Sequence, residues 1–279
     1  MRKIIILMFV ICLEVVYLQA GEWKLVWCDE FDYQGLPDST KWTYEQGFVR
    51  NMELQYYTHE RKENARVQNG MLVLETRKES YLNAAYNVQA GETDWRRKNQ
   101  YAEYTSASVT TQGKAGWRYG KIEVRAKLPT GKGMWPAIWM LGTNITDVGW
   151  PACGEIDIME NVGFNPDLIH ANVHTEKYNH VKGNNKGSAI KVPQPHESLH
   201  IYAIEWDAKK IDFFIDDQKY FTYVNEGSGV EVWPFDQAFY LILNIAFGGS
   251  WGSQEGIDEQ ILPQRMYVDY VRVYQREKN

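Results

Sequence analysis

The chain has 279 residues, 44% hydrophobic and 24% charged, with a formal net charge of −6. That composition excludes disorder, collagen and coiled coil, and the negative balance excludes a nucleic-acid partner, since phosphate affinity comes from Lys and Arg. Aromatic residues make up 14% of the chain, 11 of them Trp, which either fill a β-rich core or present faces that stack on flat ligands.

Arg2 and Lys3 precede an apolar run over residues 4–18 that closes on Leu18-Gln19-Ala20. This is the layout of a secretory signal peptide, and the run is too short for a membrane span. The expectation is a signal peptide over residues 1–20, one domain over residues 21–279, and a secreted protein with no membrane span. Cys28 and Cys153 follow. They could pair in an oxidising compartment, but nothing else resembles a disulfide scaffold, and two free thiols are expected. The six His residues show neither an HExxH motif nor Cys/His ligand spacing, so a zinc enzyme is not expected.

Further along, residues 119–128 alternate, with Ile122, Val124, Ala126 and Leu128 on one face. Residues 199–206 and 211–215 are β-rich and separated by a charged turn. Residues 239–247 form a nearly continuous apolar run, and residues 267–274 alternate again. Turn signals at Asn69-Gly70, residues 129–133, Asn165-Pro166 and residues 184–187 fall between these runs. No segment sustains a period near 3.6, so the expected class is all-β, a single antiparallel sandwich.

The segment Glu155-Ile-Asp157-Ile-Met-Glu160 carries the chemistry. In a regular strand Glu155 and Asp157 share a face and Glu160 points the other way. A β-bulge absorbing one residue near Ile158-Met159 swings Glu160 onto the same face. Leaning side chains could then approach the roughly 5–5.5 Å separation of a retaining glycosidase pair. Like charges this close raise at least one pKa, which a general acid requires. A turn at Asn165-Pro166 leads to a strand with His170, Asn172 and His174 on one face, and a hairpin centred there sets His174 opposite Asp157 or Glu155. Trp135 and Trp139 share a strand face suited to stacking on sugar C–H surfaces, and Trp150 stands just before the carboxylate strand.

The carboxylate motif resembles the signature of glycoside hydrolase family 16, particularly its laminarinase-like members. The likeness extends over Asn51-Met-Glu53-Leu-Gln55-Tyr-Tyr, Tyr104-Thr-Ser-Ala, Gly133-Met-Trp135-Pro-Ala-Ile-Trp139-Met-Leu, Trp150-Pro151 and Val268-Asp-Tyr-Val-Arg-Val-Tyr274. The resemblance implies a β-jelly roll, a sandwich of two stacked antiparallel sheets whose concave face is a substrate cleft. It implies Glu155 as nucleophile, Glu160 as acid/base and Asp157 as the group that holds their charge state. Asn51 and Glu53, alternating with Gln55 on a short strand, resemble residues that bind glucosyl hydroxyls; Asn244 and Trp251 are further cleft candidates. The family needs no catalytic cofactor, but its members often bind a structural Ca²⁺, here matched by Glu30, Gly70 and Asp269. The implied activity is endo-hydrolysis of β-1,3-glucan or mixed-linkage β-1,3-1,4-glucan by a monomer whose partner is the polysaccharide. Two alternatives remain open. One is the same chemistry on agarose, porphyran or carrageenan, with the sulfated members disfavoured by the acidic chain; the other is a carbohydrate-binding jelly roll without catalysis. The loops over residues 79–101 and 179–197 carry no readable specificity code.

Overall fold

The computed structural model describes residues 21–277, so the expected signal segment lies outside the described residues. Where apolar and polar residues alternate, the chain forms strands with one face turned inward. In Gly120–Lys127 every second residue is buried, including Ile122, Val124 and Ala126.

The strands form two sheets. The larger has ten strands. Its path runs β15 (Gln218–Val224), β14 (Lys210–Ile215), β13 (His200–Trp206), β8 (Gly120–Lys127) and β17 (Gln264–Arg276), then β5 (Met71–Leu82), β6 (Tyr101–Ser106) and β3 (Gln55–Tyr57). Beside this path β1 (Trp23–Asp29) pairs with β17, and β4 (Ala65–Gln68) pairs with β5. The smaller sheet has seven strands. Its order is β12 (Lys186–Lys191), β11 (Leu168–His174), β10 (Glu155–Asn161), β9 (Met134–Gly142), β16 (Phe239–Phe247), β7 (Ser108–Thr110) and β2 (Thr43–Tyr44).

The inner faces meet in one core. Ile122 and Val124 of β8 and Val271 and Val273 of β17 share a cluster with Ile138 of β9, Ile156 of β10 and Leu241 of β16. Each such side chain contributes about 1.5–3 kcal/mol on full burial, so the core secures the face-to-face packing. Strands β9 and β16 are also covered on their outer side, where Ala137, Trp139, Leu141, Tyr240 and Ile242 form a second cluster. This is why residues 239–247 are apolar without alternation.

Three features depart from the sequence reading. Strand β3 runs parallel to β6; β4 and β5 lie between them in the chain, which allows the crossover that parallel pairing requires. Asn51 and Glu53 do not lie on a strand, because β3 begins at Gln55. The expected turn over residues 184–187 ends early, since Lys186 and Gly187 already belong to β12. Cys28 and Cys153 are free. No helix among the described residues is long and apolar enough to cross a membrane.

The bulge lies where the motif requires it. Asp157 stands opposite Trp139 and Met159 opposite Ile138, so Ile158 is the extra residue. On the other side Asp157 faces Asn172, and Glu160 faces His170. Ile156, Ile158 and Met159 are all fully buried, and two successive inward residues return Glu160 to the face of Glu155 and Asp157. Deleting Met159 should therefore restore plain alternation and leave Glu160 facing outward, with the register beyond it unchanged. The expected cost is about 2–5 kcal/mol for the lost core side chain. Circular dichroism and thermal melting check this; a chain that no longer folds, or folds at undiminished stability, contradicts it.

Candidate active site

The outer face of the seven-stranded sheet floors a cleft of about 920 Å³. Glu155, Asp157 and Glu160 of β10 line it together with Trp135 and Trp139 of β9, His170, Asn172 and His174 of β11, and Asn244 of β16. Asn51 and Trp150 reach it from loops.

The two glutamates are held by donors from different segments. Trp150 donates its indole N–H to Glu155 at 2.7 Å. Trp135 donates likewise to Glu160 at 3.1 Å, and the Asn172 amide donates to the other Glu160 oxygen at 3.3 Å. His174 stands opposite Glu155 in the ladder, with its Nε2 3.2 Å from Asp157 and 3.7 Å from Glu155. The backbone N–H of His180 donates to His174 Nδ1 at 3.3 Å. A ring nitrogen that accepts carries no proton, so in neutral His174 the proton is on Nε2, the nitrogen on the side of the acids, although no hydrogen bond reaches Asp157 Oδ2.

Burial raises the pKa of all three acids. Glu155 is pushed well above the usual carboxylate range by loss of hydration and then by the charge of Asp157. Asp157 is raised by burial and the charge of Glu160, against a hydrogen bond to Glu155. Two carboxyl groups can share a hydrogen bond only when one is protonated. Glu160 is raised by burial, against His174 and its two hydrogen-bond donors. The cluster therefore retains protons where exposed carboxylates have lost theirs.

Glu155, Asp157 and His174 bring one potential ligand atom each within 4.8 Å of one another. As a cation site this donor set is poor, because the His174 nitrogen that faces the acids is the protonated one.

On one side of the acids lies a network largely unforeseen from sequence. Asn51 and Met52 have φ of 54° and 52°, a left-handed pair that turns Glu53 inward, where it is only 4% exposed. A Cβ on Gly249 would lie 2.9 Å from Glu53 Cγ, so glycine there permits the close approach. Glu53 accepts from Asn51 at 3.2 Å, from Gln55 at 2.7 Å and from the Tyr57 hydroxyl at 3.3 Å. Asn244 donates to Tyr57 at 3.0 Å and accepts from the Trp139 indole at 2.7 Å. Arg50, paired with Glu45, lies over the Trp139 ring with its guanidinium carbon 4.8 Å from the centroid. Trp139 thus meets a cation on one ring face and is only 7% exposed, and Trp135 and Trp150 are the more accessible indoles. Arg50, Glu45 and Tyr57 had no signal of their own, since a charged pair beneath a cleft leaves no periodicity.

Asp269 lies on β17 of the ten-stranded sheet, Glu30 directly follows β1, and Gly70 lies in the turn between β4 and β5. Glu30 receives both arms of the Arg272 guanidinium at 2.8 Å, and Asp269 pairs with Arg125 at 2.5 Å. Asp269 sits at a register shift between Val268 and Tyr270 against β8, and Gly70 closes the β4–β5 turn with φ of 75°.

Residues 52–272 match the family model described as glycosyl hydrolases family 16. The chain is 49% identical to a β-glucanase of Rhodothermus marinus over 92% of its own length and 86% of that protein. The X-ray structure of the laminarinase from Rhodothermus marinus superposes with a TM-score of 0.84 at 48% identity, covering 93% of this chain and 100% of that one. The laminarinase catalytic domain of Thermotoga maritima MSB8 superposes with a TM-score of 0.78 at 42% identity, covering 92% and 100%.

The raised acids carry a stability consequence. In the unfolded chain Glu155 and Glu160 ionise near the ordinary 4.5, whereas the folded chain holds their protons to higher pH. Stability is therefore lost as pH rises from 4.5 through the folded values, and the loss is complete above them. Glu155→Gln and Glu160→Gln should each raise Tm at pH 7, by about 2–4 °C per kcal/mol relieved, with the gain shrinking toward pH 4. Melting curves at the two pH values decide; equal or lower Tm in the amide variants at pH 7 contradicts the burial argument.

Proposed function

The chain belongs to glycosyl hydrolases family 16 and is an endo-β-1,3(4)-glucanase, and from that premise we propose that Glu155 is its nucleophile and Glu160 its general acid/base. The observation that carries the assignment is the bulged face of β10, where the two glutamates flank Asp157 in the cleft and each receives a tryptophan N–H. Glu155 attacks the anomeric carbon while Glu160 gives its proton to the departing glycosidic oxygen. The ionised Glu160 then takes a proton from water, which displaces Glu155 from the glycosyl ester and retains the anomeric configuration. Asp157, which shares the strand face with both glutamates, holds the proton that lets Glu155 remain a carboxylate. Activity requires Glu155 ionised and Glu160 protonated, so kcat/KM is bell-shaped, with an acid limb from Glu155 and an alkaline limb from Glu160.

Trp135 and Trp150 line the sugar path, and Asn51 and Glu53 with Asn244 and Trp139 form its other wall; the substrate is a neutral β-glucan. We read residues 21–279 as a single catalytic domain acting as a monomer. Residues 1–20, with their basic start and apolar run, support export from the cell. Glu155→Gln should lower laminarin hydrolysis by about 10³-fold or more while leaving the circular dichroism spectrum unchanged. The wild-type chain should release oligosaccharides from laminarin or barley β-glucan and none from agarose. Substantial activity in Glu155→Gln contradicts the nucleophile assignment, and release from agarose contradicts the substrate.

A structural Ca²⁺ near Glu30, Gly70 and Asp269 fits through main-chain oxygens, because both carboxylates are engaged by arginines while the irregularity at Asp269 frees ladder groups. Chelation should lower Tm by a few degrees, about 2–4 °C per kcal/mol of bound-ion stabilisation, and leave kcat at low temperature unchanged. An unchanged Tm on EDTA treatment contradicts the ion.

A further inference from the structure

Asn172, the amide that donates to Glu160, is not free to choose its orientation. Asn185 donates from Nδ2 to Asn172 Oδ1 at 2.8 Å, which leaves the Asn172 N–H toward Glu160 at 3.3 Å. Beneath the amide lies Gly187, opposite Asn172 in the ladder, where a Cβ would come within 2.1 Å of Asn172 Oδ1. Strand β12 therefore accommodates this side chain only because residue 187 has none.

The segment that delivers Asn185 is closed on itself. Asn179 donates to the carbonyls of Thr175 at 3.0 Å and Glu176 at 3.3 Å and accepts from the backbone of Lys182 at 3.1 Å. Asn184 accepts from the backbone of Asn179 at 3.1 Å and donates to Lys177 at 3.1 Å. The same segment supplies the His180 N–H to His174.

We propose that residues 175–185 are a positioning device for the acid/base group, in which Asn185 orients the Asn172 amide so that its N–H, and not its carbonyl, meets Glu160. The proposal rests on the reading of Glu160 as acid/base. An N–H donor favours the ionised carboxylate, whereas a carbonyl accepts from the protonated acid and favours that form. Asn185 thereby sets the pH at which Glu160 gives up its proton. The other ionisable groups lining this cleft are Glu155 and Asp157 on β10, His170 and His174 on β11, His180 on the 175–185 segment itself, and the Glu45–Arg50 pair on the opposite wall. Strand β9 presents the Trp135 indole, and Trp251 packs on Trp135 and His170. On β12 the Lys186 ammonium is turned onto the Tyr178 ring, 4.4 Å from its centroid.

The test compares pH profiles of kcat/KM on laminarin for the wild type, Asn185→Asp and Asn185→Ala, with Glu160→Gln assayed in parallel. An aspartate at 185 only accepts, so it draws the Asn172 N–H to itself and turns the carbonyl toward Glu160. The alkaline limb should move up by about half to one pH unit, the acid limb should stay, and Asn185→Ala should move the alkaline limb less in the same direction. The shift should persist at about 1 M salt, where the Debye length is ~3 Å. An alkaline limb unmoved in both variants, or a shift abolished by salt, overturns the proposal while loss of activity in Glu160→Gln keeps the acid/base reading. Activity retained in Glu160→Gln overturns both. Asn185 is exposed, so both variants should fold; if Asn185→Asp does not, Asn185→Ala alone carries the comparison.

Discussion

Three carboxyl groups crowded on one face of one strand, Asp157 buried and the two glutamates half-buried, repel one another and forfeit hydration, and the rest of the site is organised around that cost. The strand that bears them is at the same time a core strand, with Ile156, Ile158 and Met159 fully buried behind the acids. Regular alternation cannot place Glu160 beside Glu155 and Asp157 across the five positions that separate the two glutamates. One additional inward residue reconciles both demands: the core holds Ile158 and Met159 in succession and the cleft keeps its third acid.

Compensation then comes from neighbours that were already needed for packing. The outer two acids each receive an indole N–H, and the middle one lies 3.2 Å from the His174 ring. Donors on β9, on β11 and in the loop before β10 thus converge on a strand that lies between them. The opposite wall follows similar logic at smaller scale. Glu53 is buried and raised by lost hydration, and three side-chain donors hold it in place. Charge that no water solvates is stabilised by fixed dipoles, and the fixing preorganises the cleft before any sugar arrives.

Much of this was legible in the sequence, for identifiable reasons. The carboxylate spacing revealed the bulge because a strand with one extra apolar residue keeps both of its faces consistent only by bulging there. The hairpin turn at Asn165-Pro166 set the register that puts His174 opposite Glu155. The failures have a common cause as well. Asn51 and Glu53 looked like alternating strand residues, but two consecutive left-handed residues, Asn51 and Met52, turn the chain before β3 begins. Gly187 looked like part of a turn, yet it is a strand residue whose lack of a side chain makes room for Asn172. Arg50, Tyr57 and Asn185 act through contacts between segments remote in sequence, and such contacts write no local pattern.

Strand β16 shows how the architecture limits divergence. Leu241, Leu243 and Ile245 belong to the inner core, and Tyr240 and Asn244 to the cleft floor. A change selected for a new ligand at the floor is therefore felt at once by the packing behind it, and the number of tolerated floor sequences is small. The rim is under no such double obligation: residues 83–100, which reach Val49 at the cleft edge through Arg96, can lengthen or change without disturbing the core. Lineages descending from this scaffold should thus diversify their diets from the rim inward, with the floor as the last part to change.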